Sequence, residues 1–177
     1  VGTIPPTNQE QWIEEYEKYK KTPEFKQINN DIKLSEFKNI YFIEYFHRLL
    51  ARLTGLIFFV PMMYFLIKNQ LHKKLIAYLM ATLMIGIIQG FMGWYMVASG
   101  LVNAPHVSHY RLALHLSLAL LIFSILWWQA LNLLDKKQNK IGFSHIILLL
   151  VLFIQIFYGG LVAGLKAGLI YNTFPFM

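Results

Sequence analysis

The chain has 177 residues, of which 56% are hydrophobic and 14% charged. That is too apolar for a soluble core of this size, and the apolar residues gather into four long runs, which excludes a disordered segment, a nucleic-acid module and a soluble Rossmann or barrel enzyme. With no Cys, disulfides, thiolate zinc sites, iron–sulfur ligation and cysteine nucleophiles drop out, the six His remain as transition-metal donors, and the net charge of +7 has to be read by its location.

The chain opens on Val1, with no charged region leading into a short apolar run, and reads as an interior piece of a longer polypeptide. Residues 1–44 form the first expected unit, a polar loop and interfacial segment with Trp12, Tyr16, Tyr19 and Phe25 set among Glu and Lys. Gln9 to Lys21 has the pattern of a short amphipathic helix. Leu34 to Ile43 mixes aromatics with Glu36 and Lys38, which places it at the membrane interface. Four spans follow, each near the ~20 residues needed to cross the hydrocarbon: about 45–67, 75–101, 112–134 and 143–165. The first three, within 45–134, belong to one expected half of the protein, and 143–170 begins a second. The fold class is all-α, a polytopic membrane helical bundle.

Orientation follows from the short loops. Lys68, Lys73 and Lys74 lie between the first two spans, and Lys136, Lys137 and Lys140 between the last two, whereas the middle loop holds Arg111 alone. Those two Lys-bearing loops are therefore cytoplasmic, and 1–44 and 102–111 extracytoplasmic. Small residues at four-residue spacing, Gly86/Gly90 and Gly160/Gly164/Gly168, are read as helix packing.

Ionisable groups inside a span are costly and mark functional candidates. Glu44, His47, Arg48 and Arg52 share one face of the first span, ending at Gly55. In the third span Arg111 and His115 stand at i, i+4. The first and third spans run in the same direction, which puts His47 and His115 at matched depth, the arrangement that ligates one haem iron from both sides. Arg48, Arg52 and Arg111 suit the propionates. Gly55, Gly90 and Gly93 offer close approach for the macrocycle, and Phe46, Phe91, Trp94 and Met96 its apolar walls. Glu44 either pairs with Arg48 at i, i+4 or assists oxidation at the porphyrin rim, and spacing leaves both open. His72 and His145 read as solvated loop residues, and His106 and His109 as outer-surface residues near the mouth of the site.

The stretches Glu36 to Arg48, Gln89 to Val97, Val107 to Leu116 and Gln155 to Met177 together resemble the heme A synthase family, in its proteobacterial and mitochondrial branch, over essentially the whole chain. The absence of Cys agrees with that branch. The resemblance implies eight helices built as two four-helix halves, with the present spans matching the second to fifth. It implies His47 and His115 as the iron ligands that hold heme O. Glu44 is implied as the carboxylate assisting oxidation of the C8 methyl to a formyl group, which makes heme A for cytochrome oxidase. A heme b belongs to the other half, whose ligands are not in this chain. Expected partners are membrane lipid, a heme O synthase and an electron donor, with a homo-oligomer open and nucleic acid excluded, in the bacterial inner membrane. Two other readings compete: a bis-His b-type cytochrome subunit, which has no use for Glu44, and a non-catalytic membrane assembly protein.

Overall fold

The computed structural model describes residues 2, 4–100, 105–134 and 142–170, and every regular element among them is helical. In chain order these are α1 (Gln9–Lys20), α2 (Pro23–Gln27), α3 (Leu34–Ile67), α4 (Lys73–Gly100), α5 (His109–Leu134), α6 (Phe143–Gly164) and a 3-10 turn, Ala167–Leu169. α3, α4, α5 and α6 are long and apolar enough to span a membrane. The chain is thus a multi-pass membrane protein. Lys136, Lys137 and Lys140 of the orientation argument lie outside the described residues, as do 101–104 of the middle loop and the tail 171–177.

The residues group into two compact units, one holding α1, α2, α3 and the start of α4 to Leu79, the other the rest of α4, α5, α6 and the 3-10 turn. In the first unit α1 is capped reciprocally: the Gln11 amide donates to Asn8 Oδ1 at 2.9 Å while the Thr7 amide donates to Gln11 Oε1 at 2.8 Å. α2, which the sequence reading passed over, starts on Pro23 with the Phe25 amide donating to Thr22 Oγ1 at 3.3 Å.

The first long helix begins well before the expected span. Leu34 to Ile43 is the opening of α3, secured by the Lys33 amide donating to Glu36 Oε2 at 2.8 Å. Its Phe37 and Tyr41, one turn apart, are buried with Trp12 in an aromatic cluster packed by Tyr16, Tyr19, Ile32, Leu34 and Tyr45. Trp12 meets Tyr41 edge-on at 5.1 Å, Tyr19 lies 5.0 Å from Phe37, and Asn29 Nδ2 donates to the Tyr19 hydroxyl at 2.8 Å. At 34 residues, α3 is about 51 Å long against a hydrocarbon core of about 30 Å, so its first turns stand outside the apolar layer.

In the second unit α5 and α6 pack along each other. A Cβ on Gly160 would lie 2.9 Å from Ala113 Cα, and one on Gly164 would lie 2.7 Å from His109 Cα. Backbone contact of this kind is how helices associate where lipid gives no hydrophobic drive. The packing reading is met at these two glycines. Gly86, Gly90 and Gly168 have no atom within 4 Å of the corresponding position among the described residues. Gly168 falls beyond α6, because the chain leaves the helix through Lys166 in the left-handed region, φ 53°.

Candidate functional site

The expected site residues fall into two sets, one in each unit. On α3, Glu44 and Arg48 form an ion pair at i, i+4 with side chains 39% and 34% exposed, so the carboxylate's structural partner is present. His47, Arg52 and Gly55 are exposed on the same helix, and a Cβ at Gly55 would meet nothing within 4 Å among the described residues.

On α5, His115 is half-buried, and its surroundings come from α4. Its ring rests against the backbone of Gly93: a Cβ there would stand 2.9 Å from His115 Cε1 and 3.5 Å from Nε2. Gln89, one turn earlier on α4, donates from Nε2 to the His115 carbonyl oxygen at 3.0 Å, and the same nitrogen lies 3.5 Å from His115 Nε2. Gln89 Oε1 is buried without a hydrogen-bond partner among the described residues. One turn along α5, Arg111 Nη1 donates to Ser99 Oγ at 2.5 Å while its guanidinium covers the Tyr95 ring at 4.6 Å. Ser99 in turn donates to the Tyr95 carbonyl. α4 therefore holds both the imidazole and the guanidinium of α5, the first through Gln89 and Gly93 and the second through Tyr95 and Ser99.

Sequence reasoning named His115, Arg111 and Gly93 but assigned no role to Gln89, Tyr95 or Ser99. The signal for Gln89 was available, since an uncharged amide in an apolar span needs a partner. Gly90 and Trp94 face differently. Gly90 has no described atom within 4 Å of its Cβ position, and Trp94, 64% exposed, forms an aromatic edge with Phe91, ring centroids 5.7 Å apart. Of the outer histidines, His106 is exposed, whereas His109 is half-buried, its backbone against Gly164 and its ring against Tyr110 at 4.1 Å. His72 and His145 are exposed, His145 in the first turn of α6.

The family model for cytochrome oxidase assembly protein, COX15-CtaA, matches residues 1–177. Relatives carrying the name "Heme A synthase" include one from Wolbachia pipientis wMel, 51% identical over all of this chain and 53% of the relative. A second, from Nitrosospira multiformis, is 48% identical over all of this chain and 52% of the relative. A third, from Flavobacterium psychrophilum, is 48% identical over the whole chain and 54% of its own length. The chain thus spans about half the length of the curated relatives it matches. No solved structure matches it.

Proposed function

The chain belongs to the COX15-CtaA cytochrome oxidase assembly protein family, and on that premise we propose that it is the heme O-binding part of a heme A synthase, an oxidoreductase that converts the C8 methyl of its substrate to a formyl group. The reading is carried by one arrangement: a half-buried imidazole seated on a glycine, one helical turn from a held guanidinium, in a chain about half identical to proteins of that name. The donor chemistry fits a haem. Imidazole nitrogen is a donor for iron that already carries four porphyrin nitrogens, and Gln89 Oε1, buried without a hydrogen-bond partner among the described residues, adds a polar atom one turn along α4 from Gly93.

When bound, the macrocycle supplies the iron and the methyl group that is oxidised. His115 and His47 would each offer an imidazole nitrogen to that iron. Arg111, oriented by Ser99 and Tyr95, presents its remaining N–H groups to a propionate, as do Arg48 and Arg52. Gly55, Gly90 and Trp94 would offer surface to the ring faces. Glu44, one turn before His47, would supply a carboxylate whose negative charge favours oxidation of the rim over binding alone. Heme b and its ligands belong to sequence outside this chain. Residues 1–44 and 102–111 face away from the cytoplasm of a bacterial inner membrane, with a heme O synthase supplying the substrate and an electron donor as redox partner.

The test is to purify the chain and a full-length parent from membranes containing heme O, extract the bound haem and identify it by mass. Heme O on the chain, heme O and heme A on the parent, and loss of both in His115→Ala are expected. Heme B alone on both proteins overturns the reading in favour of an electron-carrying cytochrome, and no haem on either overturns it in favour of a scaffold.

A further inference from the structure

We propose that a second face of α6, the row Leu148, Leu152, Gln155, Gly159 and Val162, is the docking surface for a membrane-spanning helix from the part of the full-length parent outside these 177 residues, and that Gln155 sets the register of that contact by donating to a backbone carbonyl of the incoming helix. One side of α6 is taken by α5, where Gly160 and Gly164 lie against Ala113 and His109. The five residues of the row follow one another at intervals of four, three, four and three, the spacing that keeps one line of side chains facing a neighbouring helix. At 100° per residue the row stands roughly 140° round α6 from the α5 contact. All five are exposed, Leu148 at 66%, Leu152 at 52% and Val162 at 50%, and a Cβ on Gly159 would meet nothing within 4 Å among the described residues.

Apolar side chains alone would suit a face turned to lipid, but Gln155 does not. It is twelve residues after Phe143, the first residue of α6, which puts it about 18 Å along the helix and close to the middle of a hydrocarbon core of about 30 Å. Lipid tails offer an amide no hydrogen bond there, whereas a partner helix does. α4 shows how the same pair of residues looks when covered. Gln89 and Gly93 have the four-residue spacing of Gln155 and Gly159; the Gln89 amide donates to the backbone carbonyl of His115 at 3.0 Å, and the flat imidazole lies on Gly93, 2.9 Å from its Cβ position. On α6 the amide and the glycine are repeated with the face open. A single polar residue in an apolar row is also the feature that fixes the register of packed helices. Length identifies the occupant: this chain covers 53%, 52% and 54% of three relatives, so nearly as much sequence again lies outside the matched part. A helix on the same polypeptide reaches α6 at high effective concentration, whereas a second copy has to be recruited from the membrane.

The experiment places a diazirine amino acid at Val162 of a full-length parent in membranes, activates it with light and identifies the linked peptides by mass, with mixed isotopic labelling to separate links within one polypeptide from links between two. A link within one polypeptide to a helix outside residues 1–177 is expected. Links between copies overturn the proposal in favour of a second copy, and links to lipid alone, or only within residues 1–177, overturn the docking surface. Gln155→Leu gives a second measurement, because the two environments predict opposite signs. Facing lipid, Leu removes an amide from hydrocarbon and leaves the parent as stable or more so. Covered by a helix, the parent loses a hydrogen bond and its folded-to-unfolded ratio falls about 3-fold, with a larger loss in Gly159→Leu. Unchanged or raised stability in both variants overturns the proposal. Every readout is taken without haem, so failure of the heme O reading would leave these outcomes as they are.

Discussion

Gly93 and Gly90 lie three residues apart on α4 under opposite constraints. An added methyl at Gly93 meets His115 Cε1 at 2.9 Å, whereas at Gly90 and Gly86 it meets nothing within 4 Å among the described residues. Gly93→Ala is expected to push the imidazole from its place, cost about 1–3 kcal/mol through overpacking and lower heme O retention. Gly86→Ala removes a helix-weakening glycine and is expected to raise stability by up to about 1 kcal/mol, with haem binding unchanged. Gly90→Ala separates two effects: thermal stability of the haem-free chain stays level or rises, while heme O binding falls, since the proposed macrocycle needs that surface. Titration of each variant with heme O alongside thermal unfolding checks all three. For Glu44 the ion pair with Arg48 is in place, so charge removal has a structural consequence to be distinguished from a chemical one. Glu44→Gln in the full-length parent is expected to keep most of the bound haem while heme A falls steeply and heme O accumulates. A parallel loss of haem and product would reduce Glu44 to the partner of Arg48, and a normal heme A yield would end its catalytic role.

Two elements carry mechanical weight beyond their length. The aromatic cluster of α1 and the opening of α3 ties a polar segment to the helix that bears Glu44 and His47, and its Tyr45 directly follows Glu44. Trp12→Ala is expected to cost about 3–5 kcal/mol of local stability by the usual measure for a buried Trp, visible as rapid amide exchange across 9–45 with the α5–α6 contacts unchanged. Burial pushes the Tyr19 phenol above its ordinary range, against the opposing hydrogen bond from Asn29. A raised folded value means the unfolded segment ionises first. The Tyr19 contribution is therefore complete below about pH 10, the ordinary tyrosine value, and is lost as pH rises through the folded value. Near-UV circular dichroism should show the cluster loosening on the alkaline side, and Tyr19→Phe should remove that part of the pH dependence. The exposed Lys18 behaves otherwise: its hydrogen bonds to Glu14 and Glu15, both at 2.9 Å, hold Glu14 below the usual carboxylate range, yet such solvent-facing pairs add little to stability. In the other unit, Gly164→Val places side-chain atoms against the His109 backbone, 2.7 Å from the Cβ position. It should separate α5 from α6 at that end.

At the scale of the whole chain, the membrane arrangement is open to direct test. The positive-inside bias places the segment before α3 and the loop between α3 and α4 on opposite sides, and a chain with no Cys of its own is suited to single-cysteine labelling. Asn8→Cys should react from the non-cytoplasmic face and His72→Cys from the cytoplasmic face. Reaction of both from one side would refute the topology. Four spans could be read from four apolar runs because a bilayer admits so few solutions: the backbone must satisfy its own hydrogen bonds, and a run of about 20 apolar residues does so as a helix. The cost of charge in lipid likewise singled out Glu44, His47, Arg48, Arg111 and His115 before any fold was known. The true start of α3 could not be read that way, because Phe37 and Tyr41 become helical through burial against Trp12, a partner 25 residues away from the first of them. Nor could the different roles of Gly90 and Gly93, or the grip of Gln89 on His115. Composition and spacing say that a span contains a glycine, an amide and an imidazole; the rotation of α4 about its own axis and the height of α5 beside it decide which glycine becomes the surface for the ring and which nitrogen of the ring the amide meets.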